Sequence, residues 1–256
     1  MRTFLAFFKK DLLEQIRTGK ALILGALFVV FGIMNPAIAK LTPWLLEMME
    51  SSLSQSGMSI TALEVGALDS WMQFYKNIPV ALIAFVLLQS SIFTKEYQSG
   101  TLILSLSKGL GRIKVLLSKT LVLILFWSFG YWLCFGITYG YTAYFWDHST
   151  VSHIGFSALC YYLFGVCTLS LTVLFSTVSK SNTGVLLGTG GVVLVFSLVG
   201  LIPKVGKYLP THLCDVTALI TGASDGRQYL ASILITAVLT VLCFLANIPI
   251  FNRKQL

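Results

Sequence analysis

Six long apolar runs, at residues 21–41, 77–93, 115–139, 154–178, 184–202 and 229–250, hold almost no charge. This pattern constrains the chain more than any motif. A hydrocarbon layer about 30 Å thick is crossed by roughly 20 apolar residues in a helix. Lipid offers no water to unpaired backbone N–H and C=O groups, so each run must close its hydrogen bonds within the protein. The runs are rich in Leu, Val, Ile and Phe without alternation of polar and apolar positions, which argues against the strands of a membrane barrel. Charged residues make up 11% of the chain, less than half of the roughly 25% usual in soluble domains. The predicted fold class is an all-α integral membrane protein with six transmembrane helices, a single domain over residues 1–256.

Basic residues gather on one side of these runs. Arg2, Lys9, Lys10, Arg17 and Lys20 precede the first run. Lys95, Lys108, Arg112, Lys114 and Lys119 surround the connection between the second and third. Lys180 lies between the fourth and fifth, and Arg253 and Lys254 follow the sixth. The other side holds Lys40, Lys76, Lys204, Lys207 and Arg227. The positive-inside rule then predicts that both termini are cytoplasmic. The net charge of +8 is read as this orientation signal rather than as a nucleic-acid surface, because the basic residues flank spans. Ala37-Ile38-Ala39 resembles a signal-peptide cleavage site. The arm before it is long and contains Asp11 and Glu14, so the first run is read as an uncleaved span.

Residues 1–20 show helical periodicity. Phe4, Leu5, Phe8, Leu12 and Ile16 share one side, and Lys10, Glu14 and Arg17 share the other. An interfacial amphipathic helix is predicted; the plainer alternative is a basic flank that only sets orientation. Asn35-Pro36 interrupts the first run and predicts a kink. Two long external segments are expected, at 42–76 and 203–228. Trp44, Trp71, Phe74 and Tyr75 in the first of them suggest short helices lying on the outer leaflet. Gly136/Gly140 and Gly184/Gly188 form two GxxxG patterns that permit close helix packing. Thr168, Thr172 and Ser176 share one face of the fourth run. They serve either hydrogen bonds to a neighbouring helix or the lining of a pathway.

Catalytic signatures are missing from the sequence. It contains no GxxxxGK[ST], no HExxH and no GxSxG. Four of the five cysteines lie inside runs, and no spacing suits a metal. His148, His153 and His212 fall on the outer side and read as solvated interfacial residues. No catalytic, cofactor-binding or metal-binding residue is predicted. The middles of all six runs also lack ionisable residues, which ion-coupled carriers use. If this chain moves a substrate uphill, the energy comes from another subunit.

One stretch after the second run is distinctive. It reads Glu96-Tyr97-Gln98-Ser99-Gly100-Thr101-Leu102, continues through Leu104-Ser105-Leu106-Ser107-Lys108-Gly109-Leu110-Gly111-Arg112, and reaches Lys119 seven residues later. This resembles the ABC-2-type permease subunits of bacterial ABC exporters, which carry an acidic residue, a Gly-Thr step, a short leucine-rich helix, an arginine and a lysine before the third span. The arm Lys9-Lys10-Asp11-Leu12-Leu13-Glu14-Gln15 is similar to that family's elbow helix. A proline common before the arginine is replaced here by Gly109-Leu110-Gly111.

The resemblance implies a permease in the bacterial cytoplasmic membrane that pairs with a second permease subunit, identical or related. A separate ATP-binding subunit would hold ATP and Mg, and this chain would bind no cofactor. Residues 94–114 would form the coupling loop, with Glu96, Gly100, Thr101, Arg112 and Lys119 as coupling residues and Lys9, Lys10, Glu14 and Arg17 on the elbow. Read without the resemblance, the loop residues equally suit an N-capped helix flanked by orienting charges. Trp127, Tyr131 and Trp132 suit a hydrophobic peptide, drug or lipid as exported substrate, or simply face lipid and neighbouring helices. A membrane scaffold or sensor that does not transport is the alternative function.

Overall fold

The computed structural model describes residues 2–54, 65–107 and 111–254. Among these residues every regular element is helical. Six helices are long and apolar enough to cross a membrane, and together with their flanks they cover Lys20–Leu45, Ala67–Gln98, Arg112–Phe145, Ile154–Val178, Asn182–Gly200 and Gly226–Arg253. In chain order the elements are α1 (Arg2–Arg17), α2 (Lys20–Ser54), α3 (Ala67–Gln89), α4 (Ser91–Gln98), α5 (Thr101–Ser107), α6 (Arg112–Phe145), α7 (Ile154–Val178) and α8 (Asn182–Gly200). Two single-turn helices, α9 (Pro203–Gly206) and α10 (Thr217–Ile220), precede α11 (Leu230–Arg253), and short 3-10 turns join several of these elements.

The outside of the bundle is apolar, unlike that of a soluble protein, and its interior sets buried polar side chains among apolar ones. Leu22, Val30, Leu187, Leu194 and Leu234 face outward. Asn35, Ser70, Thr138, Thr142, Ser157 and Asn247 are buried, and each finds a partner. Ser70 and Thr142 share a 2.6 Å hydrogen bond between α3 and α6. Thr177 Oγ1 donates to Asn247 Oδ1 at 2.7 Å between α7 and α11. Lipid cannot reward apolar burial, so such bonds and close packing hold the helices together. An aromatic core completes the interior, in which Trp127 meets Phe28, Phe85 and Tyr131 at 6.0, 5.6 and 5.4 Å between ring centres.

Several expectations are corrected. The helix in which a kink was expected at Asn35-Pro36 continues past the end of the apolar run, to Ser54. Pro36 removes the N–H that would bond the Gly32 carbonyl. Thr138 Oγ1 of α6 donates to that carbonyl instead, at 3.1 Å, while Asn35 bonds both Thr138 and Asn77. At the other side of the connection α3 begins at Ala67, ten residues before the apolar run. Asp69 accepts from the Gly66 N–H at the helix start and Ser70 bonds Thr142, so these polar residues do not end the helix. Trp71 and Phe74 are consequently buried core residues, and no separate surface helices occupy 42–54 or 67–76.

Gly188 does permit close approach, since a Cβ there would lie 2.3 Å from the Phe175 ring. Gly136 and Gly140 have no neighbour within 4 Å of such a Cβ among the described residues. Unforeseen contact glycines include Gly165 against Trp127 and Gly130 against Phe28, at 2.2 and 2.3 Å. Two histidines expected in solvent instead stack on aromatic rings, His148 on Tyr139 and His212 on Tyr229, both at 4.5 Å. Segment 203–228 covers one end of the bundle and buries Leu213, Val216, Leu219 and Ile220.

Candidate functional site

The end of the bundle formed by α1, α4, α5 and the start of α6 concentrates the charge. Along α1, Phe7, Asp11 and Gln15 recur every fourth residue and are buried. Leu5 and Ile16 are exposed. Lys10 and Glu14 turn toward the rest of the chain, while part of the apolar face points away from it. Lys9 and Arg17 stay exposed.

Glu96 is the centre of the cluster. Lys10 Nζ donates to Glu96 Oε1 at 2.6 Å, and Lys119 Nζ lies 3.1 Å from Glu96 Oε2. Lys119 also lies 3.6 Å from Asp11 Oδ1, and Ser118 Oγ donates to Asp11 Oδ2 at 2.8 Å. Glu14 pairs with Lys10 at 3.6 Å and Lys95 at 3.8 Å. Asp11, Glu96 and Lys119 are only 4%, 5% and 2% exposed. Beside them the Gln15 and Gln89 side chains exchange hydrogen bonds at 3.0 and 3.2 Å, and Lys20 Nζ donates to Ser91 Oγ at 2.7 Å. A cavity of about 20 Å³ among these groups has room for about one water.

The carboxylates of Asp11, Glu14 and Glu96 converge to within 4.8 Å, a spacing that would suit a cation. Lys10 and Lys119 already supply the counter-charge, so the arrangement is an ion-pair junction. Burial pushes the Asp11 carboxyl above its ordinary range, against the opposing pull of Lys119 and Ser118. Burial opposes the charge on Lys10, yet the hydrogen bond and charge of Glu96 outweigh it and raise its pKa.

Between α4 and α5 the chain turns at Gly100, whose φ of +67° favours glycine. The Ser99 and Gly100 N–H groups bond the carbonyls of Lys95 and Tyr97. Thr101 is exposed and its hydroxyl meets that of Ser99 at 2.9 Å. Lys108, Gly109 and Leu110, where the loop motif departs from the resembled pattern, lie outside the described residues. Arg112 does not join the junction. Its guanidinium donates to the carbonyls of Phe251, Asn252 and Lys254 at 2.8, 3.1 and 2.8 Å, at the end of α11.

Of the predicted residues, the structure thus brings Glu96, Lys119, Lys10 and Glu14 together. Gly100 and Thr101 lie at a corner beside them, and Arg112 grips another helix. Sequence reasoning missed Asp11, Ser118, Gln15 and Lys254. The usable signal was an acid set in a basic arm at helical spacing from Phe7 and Gln15.

Thr168, Thr172 and Ser176 are buried on α7. Their hydroxyls donate to the carbonyls of Phe164, Thr168 and Thr172 in their own helix, rather than to a neighbouring helix. Thr168 alone among them borders a cleft of about 420 Å³, walled by α3, α7, α8 and the 3-10 turn Pro210–Cys214. Its lining is mostly hydrocarbon, and no charged residue contributes; the Thr189 hydroxyl there is buried and unpartnered. Trp127 and Tyr131 are core residues, whereas Trp132 is partly exposed.

No curated protein matches the chain. Residues 5–256 match the family model described as ABC-2 family transporter protein. With six apolar helices of spanning length and a match over nearly its whole length, this multi-pass membrane chain belongs to the ABC-2 permease family of transporter proteins.

Proposed function

We propose that the chain is the permease subunit of an ATP-driven exporter and that the charged junction is where it receives force. The observation that carries this reading is the double pairing of Glu96. One buried carboxylate ties the residue that opens the loop motif to Lys10 of α1 and Lys119 of α6. A push on the α4–α5 corner therefore reaches α1 and the base of a spanning helix together, since packed elements shift as units. In this reading α1 is the elbow helix and 94–114 the coupling loop. Both termini are cytoplasmic by the positive-inside rule. A separate ATP-binding subunit docks at the exposed corner around Thr101 and carries ATP and Mg.

A second permease subunit, identical or related, completes the transporter in the bacterial cytoplasmic membrane. The α8 helix, on which only Val185 and Thr189 are buried, leaves surface for that partner and for lipid. The uncharged cleft beside Thr168 supports a hydrophobic or amphipathic cargo such as a peptide, drug or lipid. The test is a gentle-detergent pull-down of the chain from its native membrane. A stoichiometric P-loop ATPase is expected. Repeated recovery of the intact chain without one refutes the reading and leaves a scaffold or sensor.

A further inference from the structure

Lys254 stands at a second convergence, about which the loop motif says nothing. Its ammonium donates to the carbonyls of Thr177 at 2.6 Å and Ser179 at 3.2 Å, at the end of α7. It also lies 3.9 Å from the centre of the Tyr97 ring on α4. Its own carbonyl accepts from Arg112 at the start of α6. One residue therefore joins the ends of α7 and α11 to both flanks of the loop. The last four carbonyls of a helix have no partner inside it, and the helix dipole makes that end negative. A cation is the natural ligand there. Arg112 fills this role for α11 and Lys254 fills it for α7. The neighbouring packing is consistent, with Phe251 buried edge-on against Phe93 of α4 at 5.8 Å.

We infer that Lys254 is a positioning residue that relays displacement of the α4–α5 corner, through Arg112 and the end of α11, to the last turn of α7. This rests on the reading of the corner as the docking point of an ATP-binding subunit. The junction at Glu96 moves α1 and α6; the relay adds the α7–α11 pair, which Thr177 and Asn247 already fasten about two turns back along α11. The hydrogen bonds of the Lys254 side chain go to the end of α7, so that end is where the relay is read.

The experiment is hydrogen exchange on the chain purified with its ATP-binding subunit, with and without ATP and vanadate. Wild type, Lys254→Met and Lys254→Arg are compared. Nucleotide trapping in wild type is expected to change exchange at both the start of α6 and the last turn of α7. In Lys254→Met the α6 change persists and the α7 change falls about tenfold, the weight of one charge-assisted hydrogen bond. Lys254→Arg keeps a cation with N–H donors and restores the α7 change. A merely structural role would alter resting exchange at α7 without altering its response to nucleotide. An α7 response of wild-type size in Lys254→Met overturns the relay and leaves the permease reading intact. If no ATP-binding subunit accompanies the wild type, or nucleotide changes neither helix, the permease reading falls and the relay with it.

Discussion

Replacing Lys119 by methionine keeps the length of the side chain and removes its charge. Two carboxylates, Asp11 and Glu96, would remain buried, with Lys10 as the remaining close cation. At an effective dielectric of about 20, a pair 3.1 Å apart as in Lys119–Glu96 is worth about 5 kcal/mol, and one 3.6 Å apart as in Lys119–Asp11 slightly less. Much of this offsets the desolvation of the three ions. Removing one partner of such a buried set leaves a net loss of about 3–5 kcal/mol. Lys10 is nearly half exposed, so its bond to Glu96 recovers only a small part.

The loss falls on the docking of α1. A loss of about 3 kcal/mol corresponds to roughly a hundredfold faster hydrogen exchange for α1 amides. Amides in the middle of α7, which does not touch the cluster, should keep their wild-type rates. Adding Asp11→Asn to Lys119→Met removes one orphaned carboxylate and should restore about tenfold. If α1 exchange in Lys119→Met stays within about threefold of wild type, a difference under about 1 kcal/mol, the junction does not hold α1 and the argument fails.

The other predictions concern the same molecule read differently. Asp11→Asn alone should change stability at neutral pH by less than about 1 kcal/mol, whereas Glu96→Gln should lose about 3 kcal/mol. The sign follows from the raised pKa of Asp11. The native state holds this proton more tightly than the unfolded chain, so the favourable contribution is present at low pH and is lost as pH rises through the folded pKa. Wild type should therefore gain relative to Asp11→Asn between neutral pH and about pH 4.5, in melting curves taken at both; a relative loss on acidification would contradict the burial argument. Gly165→Ala and Gly130→Ala should each destabilise by about 1–3 kcal/mol through overlap with Trp127 and Phe28. Gly136→Ala meets no neighbour and should stabilise by up to about 1 kcal/mol. Thermal melts in detergent that reverse this order would show the packing to be wrong.

Hydropathy was enough to find the spanning helices, because lipid imposes a length and a composition that few other environments require. It misjudged where α2 ends and α3 begins. Average hydropathy does not register that Asp69 accepts from the Gly66 N–H, that Ser70 meets Thr142, or that Thr138 takes over the carbonyl freed by Pro36. The loop motif pointed to Glu96 and Lys119, and their partnership with Lys10 and Glu14 needed three-dimensional placement. Asp11 and Lys254 were hidden because charges near a span are first read as orientation signals. Their specific partners lie far along the chain, 107 positions away at Ser118 for Asp11 and 142 away at Arg112 for Lys254, beyond the reach of any local pattern.

That separation also governs the order of biogenesis. Lys10 precedes Glu96 by 86 positions, so α1 leaves the ribosome well before the groups that neutralise it exist. Until the third spanning helix is inserted, Lys10, Asp11 and Glu14 must remain hydrated at the membrane surface, because entering the apolar phase unpaired would cost too much. Segment α1 is thus made early and seated late, once Glu96 and Lys119 are both in place to pair with it. A chain with the third span inverted would carry Lys119 to the far side of the bilayer. Its α1 would be left undocked, a flexible charged arm open to cellular proteases.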